Sequence, residues 1–259
     1  MKIAVIHKAA DREIISAVRE KLESLGASVL FADGDGPLDC DAAVALGGDG
    51  TIIHAAKRAA ESGTSVLGIN CGNLGFTAGI EADELHRLSC LIDGDYETDE
   101  RMMLDITAGG RRFTALNEAV ISREVRSCMC ELDIGCGGRN VISFRADGAI
   151  FATPTGSTAY ALSAGGPVVD PGLGCIIMAP VCAHSLVARP YIFRDDSGMT
   201  ARVVNSPPCE AVITADGEQS AALHPGDTVT VTRSALTAKL IKIKKFSFYD
   251  VLNRKLVNR

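Results

Sequence analysis

Five apolar residues, Ala42–Leu46, run directly into Gly47-Gly48-Asp49-Gly50-Thr51, and a helical pattern continues from Thr51 to Glu61. A strand with no polar alternation is buried on both faces, which is the habit of a parallel sheet covered by helices. The glycine turn then falls at the carboxyl end of that strand, where open α/β sheets bind ligands. Three glycines let backbone approach a ligand closely. The helix that follows offers unpaired N–H groups to an anion. Asp49 is the odd residue there, since a carboxylate repels phosphate. It needs a task, either coordinating a divalent cation or accepting a proton from an attacking hydroxyl. The plainer alternative is a tight turn with Asp49 capping a helix.

The surrounding pattern extends the α/β reading. Ile3–Ile6 is a short apolar strand. Apolar residues at 14, 15, 18, 22 and 25 have a helical period, and Gly26 is placed to end that helix. Ser28–Phe31 and Val66–Ile69 read as strands, and Ala82–Leu91 as a helix. Beyond Asp95 the character changes. Leu104–Thr107 and Arg112–Leu116 flank Gly109-Gly110, and Leu132–Cys136 and Val141–Phe144 flank Gly137-Gly138-Arg139-Asn140, both hairpin signals. Ala211–Thr214, Thr228–Val231 and Leu240–Ile243 are further strands, and Phe248–Leu256 suits a short helix. The expected fold is an α/β N-terminal domain with a parallel sheet (1–95), with 247–259 packing back on it, and a β-rich antiparallel C-terminal domain (96–246). The active site is expected between them.

Composition narrows the function classes. Of 259 residues, 47% are hydrophobic, enough for a substantial core, and the net charge is −6. This excludes a basic footprint for nucleic acid or an anionic membrane. Nucleotides must then be held locally, by backbone N–H groups, a few basic side chains and a metal. The apolar run at the N-terminus is too short for a signal peptide, and 171–188 carries Pro180 and His184, so no membrane span is expected. Nine scattered cysteines without a C-x-x-C pair favour reduced thiols and a cytoplasmic protein. Cys128, Cys130 and Cys136 lack zinc spacing and suit a strand; no metal-ligand set is expected.

Common phosphate motifs are missing. No Gly-Lys dipeptide allows a P-loop, and no G-x-G-x-x-G follows a strand. Asn117-Glu118 opens a strand, where an amide and a carboxylate can meet ribose hydroxyls. Thr155–Tyr160 packs small hydroxyl residues and Gly156 into a turn that presents backbone groups, with Tyr160 able to stack on a ring. Phe76 follows a glycine loop and reads equally as core or as pocket lining. Arg145 lies two residues before Asp147 and can face a phosphate.

Taken in order, four blocks give a specific resemblance. Gly47–Thr51 is shared by several kinases, but lipid kinases usually place Asn-Glu directly after it, where this chain has Ile52-Ile53-His54. Gly68-Ile69-Asn70, Gly72-Asn73-Leu74-Gly75-Phe76, Asn117-Glu118, Asp147-Gly148, Thr153–Tyr160 and Ser163–Pro167 complete a pattern that resembles the NAD kinase family across 47–167. The resemblance implies phosphorylation of the adenosine 2′-hydroxyl of NAD, with ATP or polyphosphate as donor and Mg²⁺ or another divalent metal. It implies Asp49 as the catalytic base. It implies NAD contacts from Asp49, Gly50, Phe76, Asn117, Glu118, Arg145, Asp147, Thr155, Thr158, Ala159, Tyr160, Ala161, Leu162 and Ser163. Donor phosphates fall to Gly47, Gly48, Gly50, Thr51 and His54, although many members carry Arg where His54 stands. Asp216-Gly217-Glu218-Gln219 matches the family's late Asp-Gly turn and otherwise reads as a hairpin turn. The family implies NAD and ATP as partners and a homodimer or homotetramer. The alternatives are a related lipid or sugar kinase, or a non-catalytic NAD(P) sensor.

Overall fold

The computed structural model describes the chain except residues 9, 33, 35, 73–74, 125–127, 186, 205–209, 245–246 and 258–259, and the side chains of 219, 256 and 257. Asn73 and Leu74 of the second motif, and the side chain of Gln219, therefore lie outside the described residues. Two compact units are present: residues 1–101 with 236–259, and residues 102–235.

The first unit begins β1 (Lys2–His7), α1 (Arg12–Ser24), β2 (Ser28–Phe31), β3 (Ala42–Gly47), α2 (Asp49–Ser62), β4 (Ser65–Asn70) and β5 (Ile80–Glu81). Its strands run parallel in the order β2-β1-β3-β4. The apolar run of β3 sits at the centre, fully buried from Ala42 to Leu46, as a strand covered on both faces must be. Gly63, at φ 70°, ends α2 in the left-handed conformation that glycine tolerates. The single helix expected over 82–91 is broken. A 3₁₀ turn, Ala82–Arg87, precedes α3 (Leu88–Asp93), with Glu84 at non-helical angles. The cause is a capping box: the Glu84 carboxylate reaches back to the Glu81 N–H, and it also pairs with Lys244.

The second unit is antiparallel. The strands are β6 (Glu97–Ala108), β7 (Arg111–Ala115), β8 (Glu118–Arg123), β9 (Cys130–Cys136), β10 (Arg139–Ala146) and β11 (Gly148–Ala152). After a short α4 (Tyr160–Ser163) come β12 (Cys175–Val181), β13 (Tyr191–Arg194), β14 (Met199–Val203), β15 (Ala211–Ala215), β16 (Gln219–Leu223) and β17 (Thr228–Lys242). One sheet has the order β13-β12-β11-β8-β15-β16, and β10-β9-β14-β17 forms a second run. Their facing side chains, among them Ile121, Leu132, Phe151, Ile213 and Val231, make one core. Every residue of β11 is buried, because Ile150 and Ala152 pack under α4 on the sheet's other face.

The two glycine pairs, 109–110 and 137–138, all take positive φ, the geometry of two-residue hairpins whose twist matches the strands. The strands expected at 228–231 and 240–243 are one strand, β17. Its first part pairs with β14, and Lys239–Leu240 pair in parallel with Ser65–Val66 of the first unit's sheet. The segment then closes the first unit with α5 (Phe248–Leu252) and a π-helical turn, Asn253–Val257. Cys40, Cys71, Cys90, Cys130, Cys136, Cys175 and Cys182 are free thiols, but Cys128 is disulfide-bonded. The cysteines form no disulfide framework among the described residues, as expected, but Cys128 departs from the reduced state favoured by the sequence. Pairing depends on Cα proximity in the fold, which sequence spacing does not report.

Candidate active site

In the first unit the site grows from adjacent strand ends. Gly47 of β3 is in register with Asn70 of β4, so the loops that follow leave the sheet side by side. Gly47, at φ 153°, brings Thr51 so close that a Cβ would sit 2.6 Å from the Thr51 hydroxyl. Gly48 stays extended as the cap of α2, and Asp49 is the first helical residue.

Asp49 does not cap its own helix. Its Oδ1 accepts from the Thr77 hydroxyl at 2.6 Å and the Thr77 N–H at 3.1 Å, and Oδ2 accepts from the Phe76 N–H at 3.2 Å. The Lys255 ammonium stands 3.5 Å from Oδ2. A Cβ at position 75 would collide with this carboxylate, so Gly75 is required for the loop to close over it. Burial pushes the Asp49 carboxyl up, but the Thr77 hydroxyl, Lys255 and the two amides outweigh it and hold it below the ordinary carboxylate value. The group is therefore an anion near neutrality, one third exposed, at the start of a helix. His54 lies on the same helix, half-buried.

Phe76 is half-buried and packs against Phe248 of α5, with ring centroids 5.9 Å apart. Beside it is a cavity of about 190 Å³, whose lining includes Phe76, Gly79, Lys242, Lys244, Asp250 and Arg254. Burial, with Arg101 close by, pushes Lys242 down to about 8, against the pull of Asp99 and Asp49. Thr77, Lys242 and Lys255 were not singled out from the sequence. Thr77 follows the second motif directly, and that adjacency was the one available signal.

In the second unit a separate cluster forms around Asn117-Glu118. Asp216, held at φ 50° in a turn, accepts from the N–H groups of Leu116 (2.8 Å), Asn117 (2.8 Å) and Glu118 (3.0 Å). Thr153 donates its hydroxyl to the Leu116 carbonyl at 2.6 Å and accepts from the Gly156 N–H at 3.1 Å. Gly156 lies against the Asn117 backbone with no room for a side chain. Ser157 ties the turn to Val169 through both backbone groups. Thr155 and Ala161 are buried, Thr158, Ala159 and Leu162 are half-buried, and Tyr160 and Ser163 are exposed. Burial, with Asp216 adding to it, pushes Glu118 up to about 7. Its Oε2 is buried with no hydrogen-bond partner among the described residues.

Asp147 and Arg145 are elsewhere. The β8–β11 register sets Ala152 opposite Glu118 and Gly148 opposite Ser122, so Asp147 is at the far end of that strand pair, about 16 Å away at some 3.3 Å per residue. There Asp147 pairs with Arg123 at 3.0 Å, and Arg145 is exposed. Within one chain these two residues do not join the Asn117 cluster.

A carboxylate in a glycine turn at the ends of parallel strands, carried with an antiparallel β unit, is the arrangement of a nucleotide-handling phosphotransferase. Family models for the ATP-NAD kinase N-terminal and C-terminal domains match residues 36–96 and 116–243. The NAD kinase of Symbiobacterium thermophilum is 42% identical, covering 92% of each chain, and that of Citrifermentans bemidjiense is 33% identical, covering 98% of each. An NAD kinase from Archaeoglobus fulgidus in complex with ATP superposes with a TM-score of 0.82 at 26% identity, over 100% of this chain and 98% of the other. Yeast NADH kinase complexed with NADH shares the fold, at a TM-score of 0.85 and 24% identity over 100% and 87% of the chains. The chain belongs to the NAD kinase family, and it is an enzyme that phosphorylates NAD.

Proposed function

We propose that the enzyme transfers the terminal phosphoryl group of ATP to the adenosine 2′-hydroxyl of NAD, with Asp49 as the base. The observation that carries this is the Asp49 carboxylate, held as an anion by Thr77 and the 76–77 amides inside the Gly47–Thr51 turn. The 2′ oxygen attacks the γ-phosphorus, the bond to the bridging oxygen breaks, ADP leaves, and the proton passes to Asp49. A carboxylate below its ordinary value is a weak base, which suits a loose transition state in which the proton leaves late. Gly47, Gly48 and Gly50 bring backbone to the donor phosphates, with the Thr51 hydroxyl beside Gly47 and His54 one turn along. ATP as donor is supported by the ATP complex of the Archaeoglobus relative.

Asn117, Glu118 and the turn Thr155–Ser163 hold the dinucleotide, supported by the bonds that lock Asn117, Thr153 and Gly156 together. Phe76, Arg145 and Asp147 complete the proposed set. A divalent cation fits here only as one carried on the donor's phosphates. Among the described residues no three acidic, His or Cys side chains gather, and Mg²⁺ commonly binds through one or two carboxylates plus substrate phosphates. Asp49 would be its protein ligand, and the ion would neutralise charge on the transferring group.

No helix among the described residues is long and apolar enough to cross a membrane. We place the enzyme in the cytoplasm, supported by the seven free thiols among the described residues, and in a homodimer or homotetramer, supported by exposed Ile192 on edge strand β13. Cell fractionation and light scattering check these two points. The reaction is tested with Asp49→Asn in an NADP⁺-coupled dehydrogenase assay. Turnover should fall about 10²–10⁴-fold while NAD still binds; near-normal turnover would remove Asp49 from the chemistry.

A further inference from the structure

The cavity of about 190 Å³ in the first unit has the 75–81 segment as one wall and Lys242, Lys244 and Arg254 on the other. Gly79 packs on the backbone of β17, where a Cβ would sit 2.6 Å from the Ile241 oxygen, and this sets the next residue, Lys242, against the loop. Three cations in so small a space call for counter-charge, yet the nearby carboxylates are engaged. Asp250 accepts from the Ser247 N–H and hydroxyl, both at 2.9 Å. Glu81 accepts from the Asn70 amide at 2.7 Å, Glu84 pairs with Lys244, and Asp99 takes both arms of Arg101, at 2.8 Å and 2.6 Å. Lys242 pairs with no carboxylate among the described residues. Its contact is the Ala78 carbonyl at 3.4 Å, long for a hydrogen bond. An ammonium has three N–H donors, and this one is half-buried, where an uncompensated charge is costly.

We propose that this cavity is an anion site that takes a phosphate-bearing anion no larger than pyrophosphate, with Lys242 as its central ligand and Arg254 and Lys244 beside it. Lysine meets a phosphoryl group as a point charge and arginine as a two-pronged fork, so the pair suits phosphate. The volume sets the upper size: sites for drug-sized ligands begin at roughly 300 Å³, so a whole nucleotide does not fit. Phosphoryl groups reach such a site from two sources, a free phosphate or pyrophosphate, or the end of the donor's own chain. The occupant binds against the segment that carries Phe76 and Ala78, and so braces the loop whose other contacts hold Asp49. The site does not depend on Asp49 acting as the base.

The test is calorimetric titration of pyrophosphate into the full-length enzyme and its Lys242→Met and Lys242→Arg variants, without divalent metal, alone and with ATP at saturation. The wild type should bind, Lys242→Met should bind about tenfold or more weakly, and Lys242→Arg should stay within a few fold of the wild type. Binding that persists under ATP assigns the site to a free anion. Competition by ATP, with KM for ATP raised in Lys242→Met and KM for NAD unchanged, assigns it to the donor's chain. Either result supports the site. No binding by the wild type, equal affinity in Lys242→Met, or a Lys242→Arg enzyme as weak as Lys242→Met overturns it. Thermal melts check folding, and Lys242→Met should melt no lower than the wild type, since it removes a buried charge. A wild-type crystal grown with pyrophosphate reads the same point without a variant. The anion is expected against the Lys242 ammonium; an anion seated only at Gly47–Gly50, or none, overturns the proposal.

Discussion

Gly75 is the residue whose side chain, were there one, would do most harm. Its Cβ would occupy the space of Asp49 Oδ1, and no positive φ is involved, so the cost falls on the carboxylate and not on the backbone. Gly75→Ala is expected to lower kcat by about 10² or more, since a misplacement of about 1 Å has that effect, while the melting temperature changes little. Steady-state assay and calorimetry check both. Glu118 makes a prediction about pH. Its folded carboxyl sits near 7, above its ordinary 4.5, so the folded state holds a proton that the unfolded state has released. The stability this contributes is full below about 4.5 and is lost as pH rises through 7, up to about 3 kcal/mol. Glu118→Gln has no such proton, so urea denaturation at several pH values should show it gaining on the wild type from acid to alkaline pH. Asp49 itself was legible, because an acid in a glycine turn contradicts its surroundings. Lys255 was not: it is 206 residues away, and a lone lysine on a helix is ordinary. Asp216 was read as a turn residue, and it is one, but three amides one hundred residues back give the turn its purpose.

Among elements, the strands and glycine turns were the legible part. β3 declared itself by its unbroken apolar run, and the hairpins by paired glycines. The 3₁₀ break at 82–87 was hidden, because it depends on Glu84 meeting Glu81 and Lys244 instead of continuing the helix. β17 was hidden too. Arg233 and Ser234 interrupt its apolar alternation at the point where the chain passes from one unit to the other. The 153–157 turn gives the prediction at this scale. Thr153 bonds at once to the Leu116 carbonyl and the Gly156 N–H in a buried setting. Thr153→Val leaves both without a partner, at a cost of about 1–3 kcal/mol. Denaturant unfolding should show that loss, and NAD affinity by calorimetry should fall with it.

At the scale of the whole molecule, the first unit is written in two pieces, 1–101 and 236–259, with the second unit inserted. Removing 247–259 should lower activity, since Phe248, which packs on Phe76, and Lys255, which stands beside Asp49, leave together. Among the described residues, the core around β11 has none in that segment, so hydrogen exchange at Ala149–Ala152 should stay as slow as in the intact chain. Such a result would separate loss of the site from loss of the fold. The parallel pairing of Lys239–Leu240 with Ser65–Val66 also sets an order of events during synthesis. As the chain leaves the ribosome, the β4 edge at Ser65 is finished long before the strand that covers it. An exposed strand edge invites foreign partners, and domains tend to fold in order of emergence. Nascent first units are therefore at their most adhesive while the second unit is being translated, and a ribosome stalled before codon 239 leaves behind a sticky, unfinished particle.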